Sequence, residues 1–276
     1  MAPAGDRATP AMIQGELWSA RARDWAEFQE PQHRPKYEDG IRRTRIGPGR
    51  SVLDLGCGAG VFCRLAADAG ASVTGIDAAP ALVEIARERV PDGRFDVGDI
   101  QTLPYEDRSF DVVTAFNSLQ FVRGPLVVLA EARRVTRPHG NIYILVWGRE
   151  QHTELLAVMK ALHPLVPPRP AGSSGPFALS PPGALEDLAA RSGWTQIQTG
   201  YVELPYEYPD QATMLRAQCS SAPAVLAART SGEATVEHAI TSALAPYRTA
   251  SGGYRLKTEY RYLTATAQTA GISAQN

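Results

Sequence analysis

The most constraining stretch is Val52-Leu-Asp-Leu-Gly-Cys-Gly-Ala-Gly60, a short apolar run that stops at alternating glycines. The spacing predicts a strand, a tight turn and then a helix. That order brings backbone N–H groups close to a ligand at a helix N-terminus. Downstream the pattern repeats. Strands are expected at 72–76, 94–97, 110–116 and 141–147, with helices at 80–90 and 126–135 between them. Alternation of this kind indicates an α/β fold with a parallel sheet and right-handed crossovers.

Acidic residues mark the ends of these strands. Asp77 closes the second strand 21 positions after Gly56, where a carboxylate can accept from both hydroxyls of a ribose. It could equally cap the helix that begins near Pro80. Asp99, in Gly98-Asp99-Ile100, follows the third strand. It can accept from an exocyclic amine of adenine while Ile100 packs on the ring. Asp54, Cys57 and Ala78 complete the expected cofactor lining.

Outside this core, Met1 to Ala11 reads as a frayed start. Trp18, Ala22, Trp25 and Phe28 follow near-helical spacing and predict one amphipathic helix of about four turns. A second helix is expected at 35–45, ending at Gly47-Pro48-Gly49. Seven prolines between His163 and Pro182 predict a loop, followed by a helix at 184–191 and a strand at 195–204. Two or three helices broken at Pro223 and Gly232 are expected over 210–245. From Tyr254 to Thr264 apolar and charged residues alternate strictly, which predicts a strand with one buried and one wet face. The chain divides into a helical cap (1–48), a cofactor-binding core (49–148), an insert or lid (149–182) and a C-terminal half of the sheet with a helical insertion (183–276), all within one domain.

Composition removes several classes. With 28 basic and 29 acidic residues the net charge is −1, so a face built for nucleic acid is not expected. At 44% hydrophobic and 21% charged residues the chain can build a core. No apolar run approaches the roughly 18 residues of a membrane span, and the start lacks the pattern of a signal peptide. A soluble, cytoplasmic protein without membrane or nucleic-acid partners is expected, its oligomeric state open. Three irregularly spaced cysteines (Cys57, Cys63, Cys219) suit packing better than disulfides or zinc. No cluster at metal-ligand spacing is present, and no metal is expected.

The strings VLDLGCGAG (52–60), VTGIDAAPALVEIAR (73–87), GDIQTLPYEDRSFDVVTAFNSLQFV (98–122) and RRVTRPHGNIYILVWG (133–148) resemble successive motifs of class I S-adenosylmethionine-dependent methyltransferases. The likeness is to the small-molecule branch with the ubiquinone and menaquinone enzymes. It extends less strongly to WSARARDWAEFQEP (18–31) and YRLKTEYRYLTATA (254–267). The resemblance implies a Rossmann-like, mostly parallel seven-stranded sheet of order 3-2-1-4-5-7-6, with the last strand antiparallel and helices on both faces.

By position, it makes Gly56, Gly58 and Gly60 the turn under the methionine part of S-adenosylmethionine. Asp77 becomes the ribose ligand, Asp99 and Ile100 the adenine contacts, and Asn117 a neighbour of the sulfonium. S-adenosylhomocysteine would be the product. Two positions depart from the family: Arg137-Pro138-His139-Gly140 replaces the usual Lys-Pro-Gly-Gly turn, and Gln120 stands where many relatives have histidine.

Methyl transfer needs alignment of acceptor, methyl and sulfur more than acid–base help. Among His33, His139, His152, His163 and His238, His152 is the candidate base if one is used. Trp18, Tyr37, Gln120 and Phe121 are the expected substrate contacts, which suit an apolar or aromatic acceptor. Phe116-Asn117-Ser118 is not the Asn/Asp-Pro-Pro-Tyr of base-amine methylation, and no Pro-Cys dipeptide serves cytosine C5 chemistry. O-methylation of a small metabolite is favoured over C- or N-methylation. Rival readings are a cofactor-binding cyclase or regulatory subunit that transfers no methyl group and, more remotely, an NAD-dependent oxidoreductase.

Overall fold

The computed structural model describes residues 9–168 and 175–268. A seven-stranded sheet runs in the order β3-β2-β1-β4-β5-β7-β6. Its strands are β1 (Ser51–Leu55), β2 (Ser72–Asp77), β3 (Arg94–Val97), β4 (Phe110–Phe116), β5 (Thr136–Trp147), β6 (Trp194–Tyr208) and β7 (Tyr254–Ala267). The first five are mutually parallel, and β7 lies antiparallel between β5 and β6. This is the order that the resemblance implied.

The helices are α1 (Pro10–Ser19), α2 (Ala22–Asp24), α3 (Arg34–Thr44), α4 (Val61–Asp68), α5 (Pro80–Arg89), α6 (Pro125–Val135), α7 (Leu156–Leu162), α8 (Ala184–Arg191), α9 (Gln211–Cys219), α10 (Ala222–Ser231) and α11 (Glu233–Leu244). Alternate strand residues feed two cores. Val52, Val112 and Tyr143 point into a layer shared with Phe62 of α4 and Val83 of α5. Leu53, Val113 and Ile142 point into a layer closed by Leu129 of α6 and Leu185 of α8. Helices on both faces explain why the central strands read as unbroken apolar runs.

Several expectations need correction. Residues 1–8 lie outside the described residues, but Pro10 already opens α1, with the Thr9 hydroxyl accepting from Met12 N at 3.2 Å. The single helix expected over Trp18–Phe28 is broken. Arg21 leaves helical geometry, α2 is one turn, and the chain widens into a π turn at Trp25–Gln29 and tightens into a 3-10 turn at Glu30–His33. Pro31 has no N–H to bond the Glu27 carbonyl, which ends α-helical bonding at the 3-10 turn.

The stretch between β5 and the proline-rich segment holds a helix, α7, that the sequence reading did not assign. The proline-rich loop itself begins with a 3-10 turn at His163–Leu165, and residues 169–174 of it lie outside the described residues. Pro223 sits in the first turn of α10, and the break falls at Ser220–Ser221 instead. Finally, β7 is not one-sided. Its alternation holds only near Tyr254–Thr258, and from there to Leu263 both faces are buried. An inner strand covered on both sides has no wet face, so Glu259 and Arg261 are buried in ion pairs with Arg149 and Glu186.

Candidate active site

Every strand of the parallel half ends on the same edge, and the glycine turn sits at its centre. Gly56, Gly58 and Gly60 all have positive φ (80°, 54° and 82°). At Gly58 a Cβ would also stand 2.8 Å from Glu30 Oε1, so only glycine satisfies both the turn and its neighbour. Backbone bonds tie the turn to β2: Gly56 N and Cys57 N both donate to Ile76 O, at 2.8 and 3.2 Å.

Three carboxylates surround this turn. Asp77 Oδ2 accepts from Gly58 N and Oδ1 from Ala79 N, both at 2.9 Å. The expected capping role is thus partly real, although Ala79 and not Asp77 is the N-cap of α5. Glu30 Oε1 accepts from Ala59 N at 3.0 Å, while Oε2 pairs with Arg89 at 2.8 Å. Asp54 Oδ1 accepts from the Thr114 hydroxyl at 2.7 Å. Burial raises all three acids, Glu30 to about 7 against the pull of Arg89 and Asp54 to about 7 against its Thr114 bond. Asp77 is raised by burial too, opposed by the N–H groups of Ala79, Gly58 and Ala78.

Next to the turn lies the end of β4. Asn117 adopts a left-handed φ of 53°, a conformation uncommon outside glycine and frequent where a site imposes it. Asn117 Nδ2, Ser118 Oγ and Gln120 Oε1 are buried without a hydrogen-bond partner among the described residues. Each such group costs about 1–3 kcal/mol unless something satisfies it. Ser118 is against the turn, its Cβ 2.6 Å from where a Cβ on Gly56 would be.

The residues expected in the site fall into two groups. Asp54, Gly56, Cys57, Gly58, Gly60, Asp77 and Ala78 gather at the ends of β1 and β2. Gly98, Asp99 and Ile100 join them beyond β3, with Gly98 N donating to Asp77 O at 2.9 Å and Asp99 turned toward Gln101 N at 2.8 Å. Asn117, Gln120 and Phe121 follow β4. Trp18 reaches Phe121 from α1, edge to face at 5.6 Å, and Tyr37 meets Phe116 in the same way at 4.9 Å.

His152 stands apart. It is exposed on a 3-10 turn after β5 and makes no side-chain hydrogen bond among the described residues. The histidine near the turn is the buried His33, packed on Trp25 and Tyr206 and held neutral by burial.

Sequence reasoning missed Glu30, His33, Lys36 and Ser118. A signal existed for two of them. His33, Lys36, Tyr37, Gly40 and Thr44 recur at helical spacing, and all five are buried. Lys36 Nζ donates to Asn117 Oδ1 at 2.8 Å.

Residues 53–144 match a family model described as "Methyltransferase domain". Demethylmenaquinone methyltransferase of Renibacterium salmoninarum is 39% identical over 97 residues, covering 35% of this chain and 41% of that protein. Ubiquinone biosynthesis O-methyltransferase of Xanthomonas campestris is 32% identical over 156 residues, covering 53% and 65%. Matches to these and other curated relatives span between 29% and 65% of the relatives' own length. Among solved structures, the [4+2]-cyclase SpnF superposes with a TM-score of 0.60 at 20% identity, covering 97% of this chain and all of that one. Residues 53–144 thus match a methyltransferase domain, and the glycine turn and sheet order around them are those of the fold that the resemblance implied.

Proposed function

We propose that this chain transfers the methyl group of S-adenosylmethionine to a small apolar or aromatic metabolite, with oxygen the favoured acceptor atom. One observation carries the reading: a glycine turn flanked by Asp77 on one side and by three unpartnered buried polar atoms, on Asn117, Ser118 and Gln120, on the other. That set suits an amphoteric ligand with hydroxyl, amine and carboxylate groups. Asp77 keeps a free lone pair on each oxygen for ribose hydroxyls, since each accepts only one backbone bond. Asp99 and Ile100 would flank adenine, and Gly56 to Gly60 would pass beneath the methionine part. Asn117 would sit near sulfur. The cofactor supplies an activated methyl on a sulfonium, so the chain's task is to align the acceptor and exclude water.

The N-terminal segment suits a cap over this edge, with Trp18, Tyr37 and Phe121 as acceptor contacts and residues 149–182 as a second cover. Preference for oxygen rests on the ubiquinone O-methyltransferase relatives. A second reading stays open because a protein titled a cyclase shares the fold along most of the chain, and this fold alone does not commit a chain to one chemistry. Thermal melts and calorimetry with S-adenosylhomocysteine and with NAD test the cofactor. A ligand at a hundred times its Kd stabilises the native state by about 2.7 kcal/mol, so the first should raise Tm and the second should not. A rise with NAD alone overturns the reading. Methyl-labelled S-adenosylmethionine offered with phenols then separates the two chemistries: labelled product supports transfer, and binding without product supports the cyclase-like alternative.

A further inference from the structure

The N-terminal cap delivers one cation to the middle of the site. Lys36, on α3, is 2% exposed, and its Nζ meets Asn117 Oδ1 at 2.8 Å. The rest of its surroundings are aromatic: Nζ stands 4.5 Å from the Tyr260 ring centre and 5.7 Å from that of Tyr37. No carboxylate lies within ion-pair distance of it among the described residues. Glu30, the acid whose charge it feels most, already spends its oxygens on Ala59 N and Arg89. An ammonium has three protons to donate, and here one acceptor and two ring faces receive them. Burial accordingly lowers the amine to about 7, opposed by Glu30.

The neutral amine therefore exists at ordinary pH, beside an asparagine whose Nδ2 has no hydrogen-bond partner among the described residues. These are the features of a proton acceptor waiting for a ligand. They are not those of a structural cation, which a fold would pair with a carboxylate.

We propose that Lys36 accepts the proton of a hydroxyl-bearing methyl acceptor, an aromatic alcohol or phenol whose oxygen reaches Nζ from the Asn117 side. The inference rests on the methyl-transfer reading and assigns its base. The acceptor oxygen forms a bond to the methyl carbon of S-adenosylmethionine. The carbon–sulfur bond breaks with its electron pair left on sulfur, and the hydroxyl proton ends on Lys36 Nζ. Asn117 Oδ1 and the Tyr260 face hold the resulting ammonium until the proton passes to water on product release. The titratable groups facing this amine are Glu30 and His33 in the preceding turn, Tyr37 on α3 and Tyr260 on β7, with Asp54 on β1 and Tyr206 on β6 behind Tyr37. His33 is held neutral, and burial holds the three phenols protonated.

The test uses the whole chain saturated with S-adenosylhomocysteine. Lys36, Lys160 and Lys257 are its three lysines, and the latter two are exposed, so carbon-13 labelling of lysine yields one buried resonance and two internal references. The Lys36 Cε shift is expected to titrate near neutrality. Adding 4-nitrocatechol, whose phenolate has its own visible band, should hold the Lys36 shift at its ammonium value above pH 7 and, through the ammonium–phenolate pair, produce the phenolate band at pH 6. Lys36→Met, with S-adenosylhomocysteine affinity retained, should lose that band. A Lys36 resonance that stays ammonium through pH 9 overturns the proposal. So does an absent band in the wild type, or an equal one in the variant. Failure of the wild type to bind S-adenosylhomocysteine would instead strike the methyl-transfer reading, and a second lysine titration on the free chain then decides the ionisation of Lys36 by itself.

Discussion

At the scale of single residues, Asp77 does two jobs whose consequences can be separated. Its oxygens hold Gly58 N and Ala79 N, and the proposed function adds two ribose hydroxyls to the same carboxylate. Hydrogen bonds to a charged group contribute about 1.5–3 kcal/mol each, and with water replacing the lost oxygens the net loss in Asp77→Ala is about 2–4 kcal/mol of cofactor binding. That raises the Kd for S-adenosylhomocysteine roughly 30-fold to several hundred-fold. Tm should fall as well, because two turn donors lose their acceptor. Asp77→Asn cannot be mild for the turn, since an amide NH2 would face one of the two N–H groups it replaces an acceptor for. Calorimetry beside thermal melts reads both effects, and unchanged affinity with a lowered Tm removes Asp77 from the site. Asp77 and the glycines were legible in the sequence because their partners lie within one βαβ unit, where spacing sets geometry. Glu30 and Lys36 were not. Their segment, EPQHRPKY, is polar and proline-broken, and the packing of α3 on α4 and β5 turns it inward.

At the scale of elements, strands β1 to β4 and helices α4 to α6 follow the expected positions closely, because a parallel sheet covered on both faces writes its strands as apolar runs between glycine and proline breaks. Strand β5 instead starts at Thr136 and takes in the Arg137–Gly140 stretch expected as a turn. The cap was less legible, since tertiary contact and not periodicity decides where α1 lies. Gly15 is its point of closest approach: a Cβ there would run into the carbonyl of Ala78, in the loop that follows β2. Ser19 and Leu17 anchor the same helix, through Ala81 N at 3.4 Å and through Ala222 and Val225. Gly15→Ala sets two effects against each other. Helix propensity favours alanine by about 1 kcal/mol, whereas the clash is with backbone and cannot be relieved by a rotamer. The clash should win. Hydrogen exchange across α1 should accelerate, Trp18 should separate from Phe121 with a change in fluorescence, and S-adenosylhomocysteine should bind more weakly. A raised Tm with unaltered exchange would mean that α1 does not dock on the Ala78 loop.

At the scale of the whole molecule, the site is a store of unfavourable ionisation, and that makes stability depend on pH in a particular sense. The measurement that reads it is a denaturant titration. Glu30 and Asp54 are each raised to about 7 in the folded chain. An acid raised in this way keeps its proton when folded and loses it when unfolded, so its contribution is complete below its unfolded value and vanishes as pH climbs through 7. Asp77 is shifted in the same direction. His33, lowered by burial, acts the other way up to its unfolded value, but one histidine opposes three acids. Lys36, lowered to about 7, contributes stability that grows as pH rises above 7 toward its unfolded value. Each such group changes unfolding free energy by about 1.4 kcal/mol per pH unit inside its window. Asp111, Glu131 and Glu259, held low by Arg137, Arg134 and Arg149, are ionised in both states here and add no slope. Urea unfolding without ligand should therefore give a stability that falls from pH 5 to pH 7 and rises again from pH 7 to pH 8, before buried thiols and phenols reverse the trend. Glu30→Gln should flatten the acid limb, and Lys36→Met should abolish the rise above pH 7. A wild type that gains stability steadily from pH 5 to pH 7 would show that Glu30 and Asp54 are ionised in the folded chain, with Arg89 and Thr114 outweighing their burial.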